Sequence, residues 1–300
     1  MSTQQKLVSI AAKTGMGAVH VAVTDRERAL RFYRDVVGLA PLIEGADALS
    51  LGAGGRELVR LFPGASAPVQ PHRTGLYHLA IVLPSRRELA RVVARLFTLR
   101  YDNYPTDHLM TKADYLSDPD GNGLEIYAET PEDGTMLMAN GTFEARDKQG
   151  NLRSGRDPID LDQLFSELAP DDRLDAPLPA GTRMGHVHLH VSDLDAAVRF
   201  YHELIGFDVM GLAPRMGAAF LSAGGYHHHL GLNTWAGTGV PPAPNGTAGL
   251  RRFSVELPTR ADLDQILARL RAAGIAMSEA ADGGYQVSDP SANLVQLTTA

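Results

Sequence analysis

The chain of 300 residues contains no cysteine, a single tryptophan, no excess of basic residues and no long apolar run. The lack of cysteine excludes disulfides, thiolate metal sites and cysteine nucleophiles, although it does not fix the compartment. A net charge of −7 argues against a nucleic-acid partner, because proteins that track phosphates carry a basic stripe. No segment approaches the roughly 20 apolar residues of a membrane span, and the N-terminus is too weakly apolar for a secretory signal. We therefore expect a cytoplasmic protein without a membrane or nucleic-acid partner.

The sequence contains an internal repeat. Gly17–Leu39 alternates like a strand and then takes helical spacing, and Gly185–Phe207 has the same pattern. A second pair of similar segments, Leu76–Leu96 and Leu250–Leu270, leads in each case to a proline-containing turn. The repeats predict four units of about 50 residues, numbered one to four in chain order, each with a strand, a helix and several short strands.

Cap residues set the bounds of the helix in units one and three. Asp25 and Asp193 stand where an acidic N-cap is preferred, and Gly38 and Gly206 stand where a helix commonly ends. We therefore expect one continuous helix between each aspartate and its glycine.

The units fall into two halves along the chain. Residues 16–130 hold units one and two, residues 184–300 hold units three and four, and residues 131–183 form a connector. The connector is rich in glycine, proline and mixed charge, and Ile159–Leu168 is its one short helical pattern. A second breaker-rich loop, Ala236–Gly249, predicts a surface connection of the kind that often borders active sites.

Unit two predicts a β-hairpin across Thr106–Tyr127. Its turn, SDPDGN, has the Pro, Gly, Asp and Asn chemistry of a chain reversal, and strand-length apolar runs flank it. Strand alternation places Glu125 on one face with Tyr127. Such a carboxylate is either a solvated strand residue or a ligand that points into a cavity.

Histidines occur at corresponding places in the units. His78 lies on the first strand of unit two, and three histidines alternate on one face of the first strand of unit three. Residues 227–229 are three further histidines, expected on a later strand of that unit. A lone strand histidine is usually structural, but histidines together with Glu125 favour a metal site. Two imidazoles and one carboxylate on one face of Fe(II) leave positions open for substrate and dioxygen, whereas a closed zinc site leaves none.

The four βαβββ units, His78, the spacing His108-x6-Tyr115-x9-Glu125 and the turn SDPDGN resemble the vicinal oxygen chelate superfamily. Within it they are most similar to the type I extradiol (catechol 2,3-) dioxygenases. The resemblance implies an α+β fold in which four βαβββ modules form two open β-barrels. Asp114 departs from the family, which has an aliphatic residue there, but the departure changes no chemical residue.

The resemblance also implies roles. Glu125 and His78 resemble the carboxylate and one histidine ligand of the metal, while Tyr115 and His108 resemble groups that hold the catecholate. The acid–base histidine lies on the last strand of an odd-numbered unit, where unit three offers His228. The second histidine ligand is then expected from the first strand of the same kind of unit.

The identity of that ligand depends on which units share a barrel. If neighbouring units pair, the ligand is His20 and no acid–base histidine is present. If units two and three pair, His186 completes the site, and we prefer this arrangement, with His188 as a neighbouring alternative. Units one and four would then offer only Ala18, Arg252 and Gln296 at the ligand places, a list that contains no ordinary metal ligand.

The implied activity is ring opening of a small aromatic diol by O2 at a 2-His-1-carboxylate Fe(II) site. Mn(II) suits the same ligands. One alternative is a glyoxalase-like lyase or isomerase with Zn or Ni, and another is a metal-free binding or resistance protein of the same fold. The surface of units one and four is compatible with a homo-oligomer.

Overall fold

Each unit begins with a long strand, continues with a helix and ends with shorter strands, in a computed structural model that describes residues 9–139 and 142–300. Units one and two comprise β1 Gly15–Val23, α1 Arg26–Arg31, β2 Ala40–Glu44, β3 Leu49–Ala53, β4 Arg56–Pro63, β5 Gly75–Leu83, α2 Arg86–Leu99, β6 Tyr104–Asp107, β7 Thr111–Ser117 and β8 Gly123–Glu129. The connector comprises β9 Gly134–Ala139, β10 Thr142–Asp147, β11 Leu152–Arg153, β12 Asp157–Pro158 and α3 Leu161–Phe165. Units three and four comprise β13 Arg183–His190, α4 Leu194–Arg199, β14 Asp208–Ala213, β15 Ala218–Ser222, β16 Leu230–Asn233, β17 Gly249–Leu257, α5 Arg260–Ala272, β18 Ser278–Glu279, β19 Tyr285–Ser288 and β20 Leu294–Thr299, with a short 3₁₀ turn at Pro214–Met216.

The helices of units one and three begin at the expected caps. The Asp25 carboxylate accepts a hydrogen bond from the Arg28 N–H at 2.7 Å, and Asp193 accepts one from the Ala196 N–H at 2.9 Å. Both helices end at a left-handed glycine, as predicted. Each helix therefore satisfies one of its free N-terminal donors through its own sequence.

The second half of each of these helices differs from the single α-helix that we expected. Phe32–Val37 and Phe200–Ile205 are π-helical, so that the terminal glycine N–H donates to a carbonyl five residues earlier. In this wider turn the buried Tyr33 hydroxyl donates to Asp118 at 3.2 Å. The hydroxyl of Tyr201, at the corresponding place in unit three, likewise donates to an aspartate of the next unit. A hydrogen bond from each wide turn thus connects unit one to the reversing turn of unit two, and unit three to that of unit four.

The two large sheets combine units from the two halves of the chain. The order β18-β19-β20-β17-β1-β4-β3-β2 joins units one and four, and the order β12-β6-β7-β8-β5-β13-β16-β15-β14 joins units two and three. The antiparallel pairs β1–β17 and β5–β13 form the two junctions. The preferred pairing of units is thus the one observed, while the division into 16–130 and 184–300 stays a prediction.

The two faces of the site-bearing sheet have different roles. Leu79, Ile81, Leu124 and Ile126 are fully or almost fully buried in the main hydrophobic core, on which the helices pack. The residues between them, including Glu125, point to the opposite face. The α+β class is confirmed, and in the described residues neither sheet closes on itself.

The connector has more regular structure than we predicted. Strands β9, β10 and β11 form a separate three-stranded sheet, and β12 adds to the edge strand β6. The predicted helix is present but shorter, at Leu161–Phe165. Short strands between glycine-rich turns give too little periodicity to be recognised in a sequence. Over residues 9–139 and 142–300, every helix is too short or too polar to cross a bilayer.

Candidate metal centre

Three side chains from three strands meet at one buried point. The Nε2 atoms of His78 and His186 each lie 3.1 Å from Oε2 of Glu125, and they lie 3.3 Å from each other. His78 comes from β5, Glu125 from the adjacent parallel strand β8, and His186 from β13 across the unit junction. All three side chains are at least nine-tenths buried. The fold therefore gathers two imidazoles and one carboxylate from residues far apart in sequence.

This triangle fits a metal ion. Three ligand atoms at right angles about 2.1 Å from a metal lie about 3.0 Å apart, close to the separations found here. Two histidines and one carboxylate on one face are the donor set of non-haem Fe(II) sites. The other ring nitrogen of His186, Nδ1, is buried without a hydrogen-bond partner among the described residues.

The protonation states suit ligands. Burial raises the pKa of Glu125, but the charges of His186 and His78 and their hydrogen bonds outweigh burial and hold the pKa well below its usual range. For His78 burial has the opposite sign and lowers the pKa, although the hydrogen bond and charge of Glu125 oppose this effect. An ionised carboxylate and a neutral imidazole are the forms that bind metals.

Tyr115 and His108 form a hydrogen-bonded pair beside the triangle. Tyr115 lies directly opposite Glu125 in the β7–β8 hairpin, and its hydroxyl is 2.9 Å from His108 Nε2. His108 Nδ1 donates to the Gly155 carbonyl at 2.6 Å. A carbonyl can only accept, so Nδ1 carries a proton, and in the neutral ring Nε2 accepts from the Tyr115 hydroxyl. Burial and the charge of Glu125 raise the pKa of Tyr115 well above its usual range.

The three consecutive histidines of unit three lie in the loop before β16, so the prediction that they lie on a strand was wrong. Gly224 and Gly225 adopt left-handed conformations that prolong the turn, and the strand begins only at residue 230. His228 nevertheless lines the cavity, with its ring 4.1 Å from that of His186. Burial and the neighbouring His186 lower its pKa well below the ordinary value. His229 has a different role, because its Nδ1 accepts the Ala223 N–H at 3.2 Å.

Two tyrosines on the far side of the triangle were not identified as site residues from the sequence. Tyr127 packs on the ring of His186 at 5.4 Å, and its hydroxyl is 2.6 Å from that of Tyr226. The Tyr226 hydroxyl in turn donates to Glu129. Only glycine fits at residue 185, since a Cβ there would lie 1.9 Å from the Tyr127 hydroxyl. The one feature of the sequence that indicated Tyr127 was the strand period, which places it on the same face as Glu125.

An aromatic wall borders the triangle on the side of Tyr77. The ring of Tyr77 lies 5.1 Å from that of His188 and 5.2 Å from that of Trp235. His188 projects from the same face of β13 as His186, and its Nε2 is buried without a partner among the described residues. Gly231 leaves room for it, because a Cβ would come within 2.7 Å of the ring. His188 is therefore a cavity wall next to the triangle and not one of its three corners.

His20 lies in the other sheet, opposite Arg252 on β17. Burial and the charge of Arg252 lower its pKa to about 4. His72 and His202 each donate to a backbone carbonyl, that of Ala236 and of Phe207 respectively. None of these three histidines belongs to the metal-compatible groups found among the described residues.

The triangle opens into a cavity of about 2220 Å³. Its lining includes His78, Glu125, His186, Tyr115 and His228, and it extends to the breaker-rich loop that follows β16. The space is large enough for a small aromatic molecule, since ligand pockets usually measure about 300 to 1,000 Å³.

Comparison with known proteins places this geometry in a family. The family described as Glyoxalase/Bleomycin resistance protein/Dioxygenase superfamily matches residues 15–126 and 183–297. A catechol-2,3-dioxygenase of Bacillus subtilis (strain 168) is 41% identical over 287 residues, which cover 95% of this chain and 96% of that protein. A biphenyl-2,3-diol 1,2-dioxygenase of Rhodococcus globerulus is 30% identical over 119 residues, covering 38% of this chain and 62% of that protein.

Solved structures agree on the fold. A candidate dioxygenase of Bacillus subtilis superposes with a TM-score of 0.64 at 16% identity, covering 97% of this chain and 86% of that one. Glyoxalase I from Zea mays superposes with a TM-score of 0.56 at 16% identity, covering 96% of this chain and 92% of that one. Together with the family match over both halves, these likenesses show that the chain belongs to the Glyoxalase/Bleomycin resistance protein/Dioxygenase superfamily, the vicinal oxygen chelate fold.

Proposed function

We propose that this protein is an extradiol dioxygenase that opens the ring of a catechol-type diol with O2. The observation that carries the proposal is the triangle of His78, His186 and Glu125, with the Tyr115–His108 pair beside it. The relatives named as catechol and biphenyl-diol dioxygenases support the same chemistry. A metal-free binding protein would have no use for two buried imidazoles directed at a buried carboxylate.

In this proposal His78, His186 and Glu125 hold Fe(II), for which Mn(II) is the alternative. When bound, the metal supplies a site that chelates two adjacent oxygens and supports chemistry with dioxygen. The protein residues then orient the diol, exclude water and move protons.

His228 is proposed as the acid–base residue. It faces the cavity, lies next to His186, and is kept neutral by burial, so it can accept a proton from a diol hydroxyl and later return it. A positioned group of this kind typically contributes about 10² to 10⁴ in rate. In a glyoxalase-like enzyme we would expect unit three to contribute a second carboxylate at the position of His228. The histidine therefore favours a dioxygenase.

Tyr115 and His108 are proposed to bind the oxygen that becomes the ketone of the product. The bond from His108 Nδ1 to Gly155 fixes the imidazole, which in turn fixes the tyrosine hydroxyl. A second proton on His108 reverses the bond to Tyr115, because Nε2 then donates and leaves the hydroxyl proton for the substrate oxygen. The direction of the hydrogen bond between Tyr115 and His108 therefore depends on whether the imidazole carries one proton or two.

The test compares wild type, His186→Ala and His20→Ala after anaerobic reconstitution with Fe(II). The measurements are bound iron per chain and the yellow semialdehyde product formed from catechol. We expect wild type and His20→Ala to hold iron and form product, and His186→Ala to lose both.

The matched control matters because both histidines are buried strand residues of related units. Equal losses in the two variants would indicate general destabilisation and leave the ligand assignment without support. A wild type that holds metal but does not cleave catechols would redirect the function toward a lyase or isomerase. A wild type that binds no metal would favour a binding protein.

A further inference from the structure

The cavity has an unusual charge for this acidic protein. Among the described lining residues the arginine and acidic side chains are Arg73, Arg100, Arg156 and Arg251, against Asp102 and Glu125. Glu125 belongs to the candidate metal centre. The rest of the described lining therefore has one carboxylate, that of Asp102, and four guanidinium groups. The whole chain has a net charge of −7, so the positive excess among the lining residues is not shared by the protein as a whole.

Arg156 follows directly after a residue that contacts the candidate site. The carbonyl of Gly155, the preceding residue, accepts the hydrogen bond from His108 Nδ1, and His108 holds Tyr115. Asp157, the next residue, begins β12, which pairs with β6 of the site-bearing sheet. The backbone of Arg156 is therefore fixed on both sides at the rim of the candidate site.

The guanidinium of Arg156 has no acidic partner among the described residues. Its neighbour Asp157 is already engaged, because Arg153 binds that carboxylate at 3.0 Å and the Ser154 hydroxyl donates to it at 2.7 Å. Within residues 9–139 and 142–300, Arg156 makes its hydrogen bond through the backbone N–H, which donates to the Ser154 hydroxyl at 2.9 Å. Its side chain lines the same cavity as Tyr115 and His108.

The rest of the cavity suits an aromatic body. Tyr77 and Trp235 meet edge to face at 5.2 Å, and Phe220 and Met216 add apolar surface. A diol anchored at the triangle thus meets an aromatic wall and, at the connector rim, an uncompensated arginine. Guanidinium groups recognise carboxylates with paired N–H donors.

We propose that Arg156 binds an acidic substituent of the substrate, so that the protein prefers catechols bearing a carboxylate over neutral catechols. This inference rests on the proposed function and names the substrate class of that same site. Arg156 acts here as a specificity-determining residue and takes no part in ring opening.

The test uses three probes that differ in charge: 3,4-dihydroxyphenylacetate, catechol and dopamine. We expect wild type to favour the anion in kcat/KM, and Arg156→Gln to lose roughly tenfold for the anion, mainly through KM, with catechol within about twofold. Arg156→Lys should retain part of the preference, and Arg156→Glu should shift it toward dopamine. Added salt should weaken the preference, because the pair lies at an exposed rim.

A binding measurement accompanies the rates. Anaerobic calorimetry with 3,4-dihydroxyphenylacetate and Fe(II)-loaded protein should show a roughly tenfold higher Kd for Arg156→Gln than for wild type. Arg146→Gln is the matched control, since Arg146 lies in the same connector, is paired with Glu144 and does not line the cavity.

The outcomes separate the two proposals. Turnover of all three probes with no preference for the anion, or an equal loss for anion and catechol in Arg156→Gln, overturns the role of Arg156 alone. Turnover of none of the probes by iron-loaded wild type overturns the proposed function and this inference with it.

Discussion

The two large sheets share one architecture but have different side chains at corresponding positions. In the sheet of units two and three, His78, His186 and Glu125 direct their ligand atoms at a common point. In the sheet of units one and four, the corresponding residues are Arg252, Ala18 and Gln296. The repeated fold therefore provides two equivalent places, only one of which has the donors that a metal requires.

The sheet of units one and four pairs its charged side chains with one another. Arg252 pairs with Asp282, whose other oxygen accepts from the Gln296 amide at 3.2 Å. Arg60 lies 3.8 Å from the same aspartate and is bound by Glu57 through both carboxylate oxygens. The charges of these side chains neutralise one another, and the metal-compatible groups found among the described residues belong to units two and three. The comparison shows that side chains, and not the fold, decide where the chemistry lies.

The largest effect is expected when a candidate metal ligand of units two and three is replaced by the residue at the corresponding position of the other sheet. His78→Arg places the unit-four residue at the corresponding position of unit two, and a positive charge next to Glu125 replaces a neutral ligand. We expect loss of stoichiometric Fe(II) and of ring cleavage to background, measured by metal analysis and product absorbance. The reverse exchange, Arg252→His, should leave both unchanged. Cleavage that persists in His78→Arg would contradict the ligand assignment.

A smaller loss is expected when the metal ligands stay and the neighbouring base is removed. His228→Ala should retain iron but lower kcat by about 10² to 10⁴, because the diol loses its proton acceptor. His229→Ala is a control from the same loop, since His229 bonds the backbone and lies outside the cavity lining. A kcat within about twofold of wild type in His228→Ala would remove His228 from the mechanism.

Asp114 gives the site-bearing sheet a buried carboxylate at a position where unit four has Tyr285. Asp114 is fully buried, and among the described residues only the backbone N–H groups of Tyr104 and Tyr115 oppose the effect of burial on its carboxylate. Burial raises its pKa from 3.8 to about 7. The unfolded chain therefore binds fewer protons than the folded chain between these values, and stability falls as the pH rises through that window.

Replacement of this carboxylate should flatten the profile. Asp114→Leu should gain about 4 kcal/mol in the free energy of unfolding at pH 8 relative to wild type, and much less near pH 4. Urea unfolding at the two pH values measures the difference, with Asp171→Leu as an exposed control. A gain of the same size at both pH values would show that ionisation is not its cause.

The smallest effect is expected in the scaffold sheet. Asp282→Ala leaves Arg252 and Gln296 without their shared acceptor, which should lower the free energy of unfolding by about 1 to 2 kcal/mol because Asp282 is partly exposed. Ring cleavage should not change. The comparison between the sheets would fail if this variant lost iron or activity while it remained folded.

The sequence predicted those features of the fold that local chemistry determines. Asp25 and Asp193 cap helices because a short carboxylate reaches the N–H groups of the first turn. The alternation of His186 and His188 on β13 followed from the strand period. The widened helix turns were not predictable, because they depend on the contacts of buried tyrosines with a distant turn.

The site was predictable as a set of residues, but its assembly depended on tertiary structure. His78 and Glu125 lie in one unit, so their proximity follows from one pair of parallel strands. His186 joins them only because β13 pairs with β5, which sequence spacing alone could not decide against His20. Nothing in the sequence indicated Arg156, since its place at the rim depends on a bond between the connector and His108.

The location of bound iron distinguishes the two sheets most directly, since only the sheet of units two and three is expected to hold it. Crystals grown with Fe(II) under anaerobic conditions should be measured at the iron absorption edge. We expect one anomalous peak per chain, bounded by His78 Nε2, His186 Nε2 and Glu125 Oε2. A peak between units one and four near His20 would contradict this expectation, as would crystals of Fe(II)-saturated protein with no peak at the triangle.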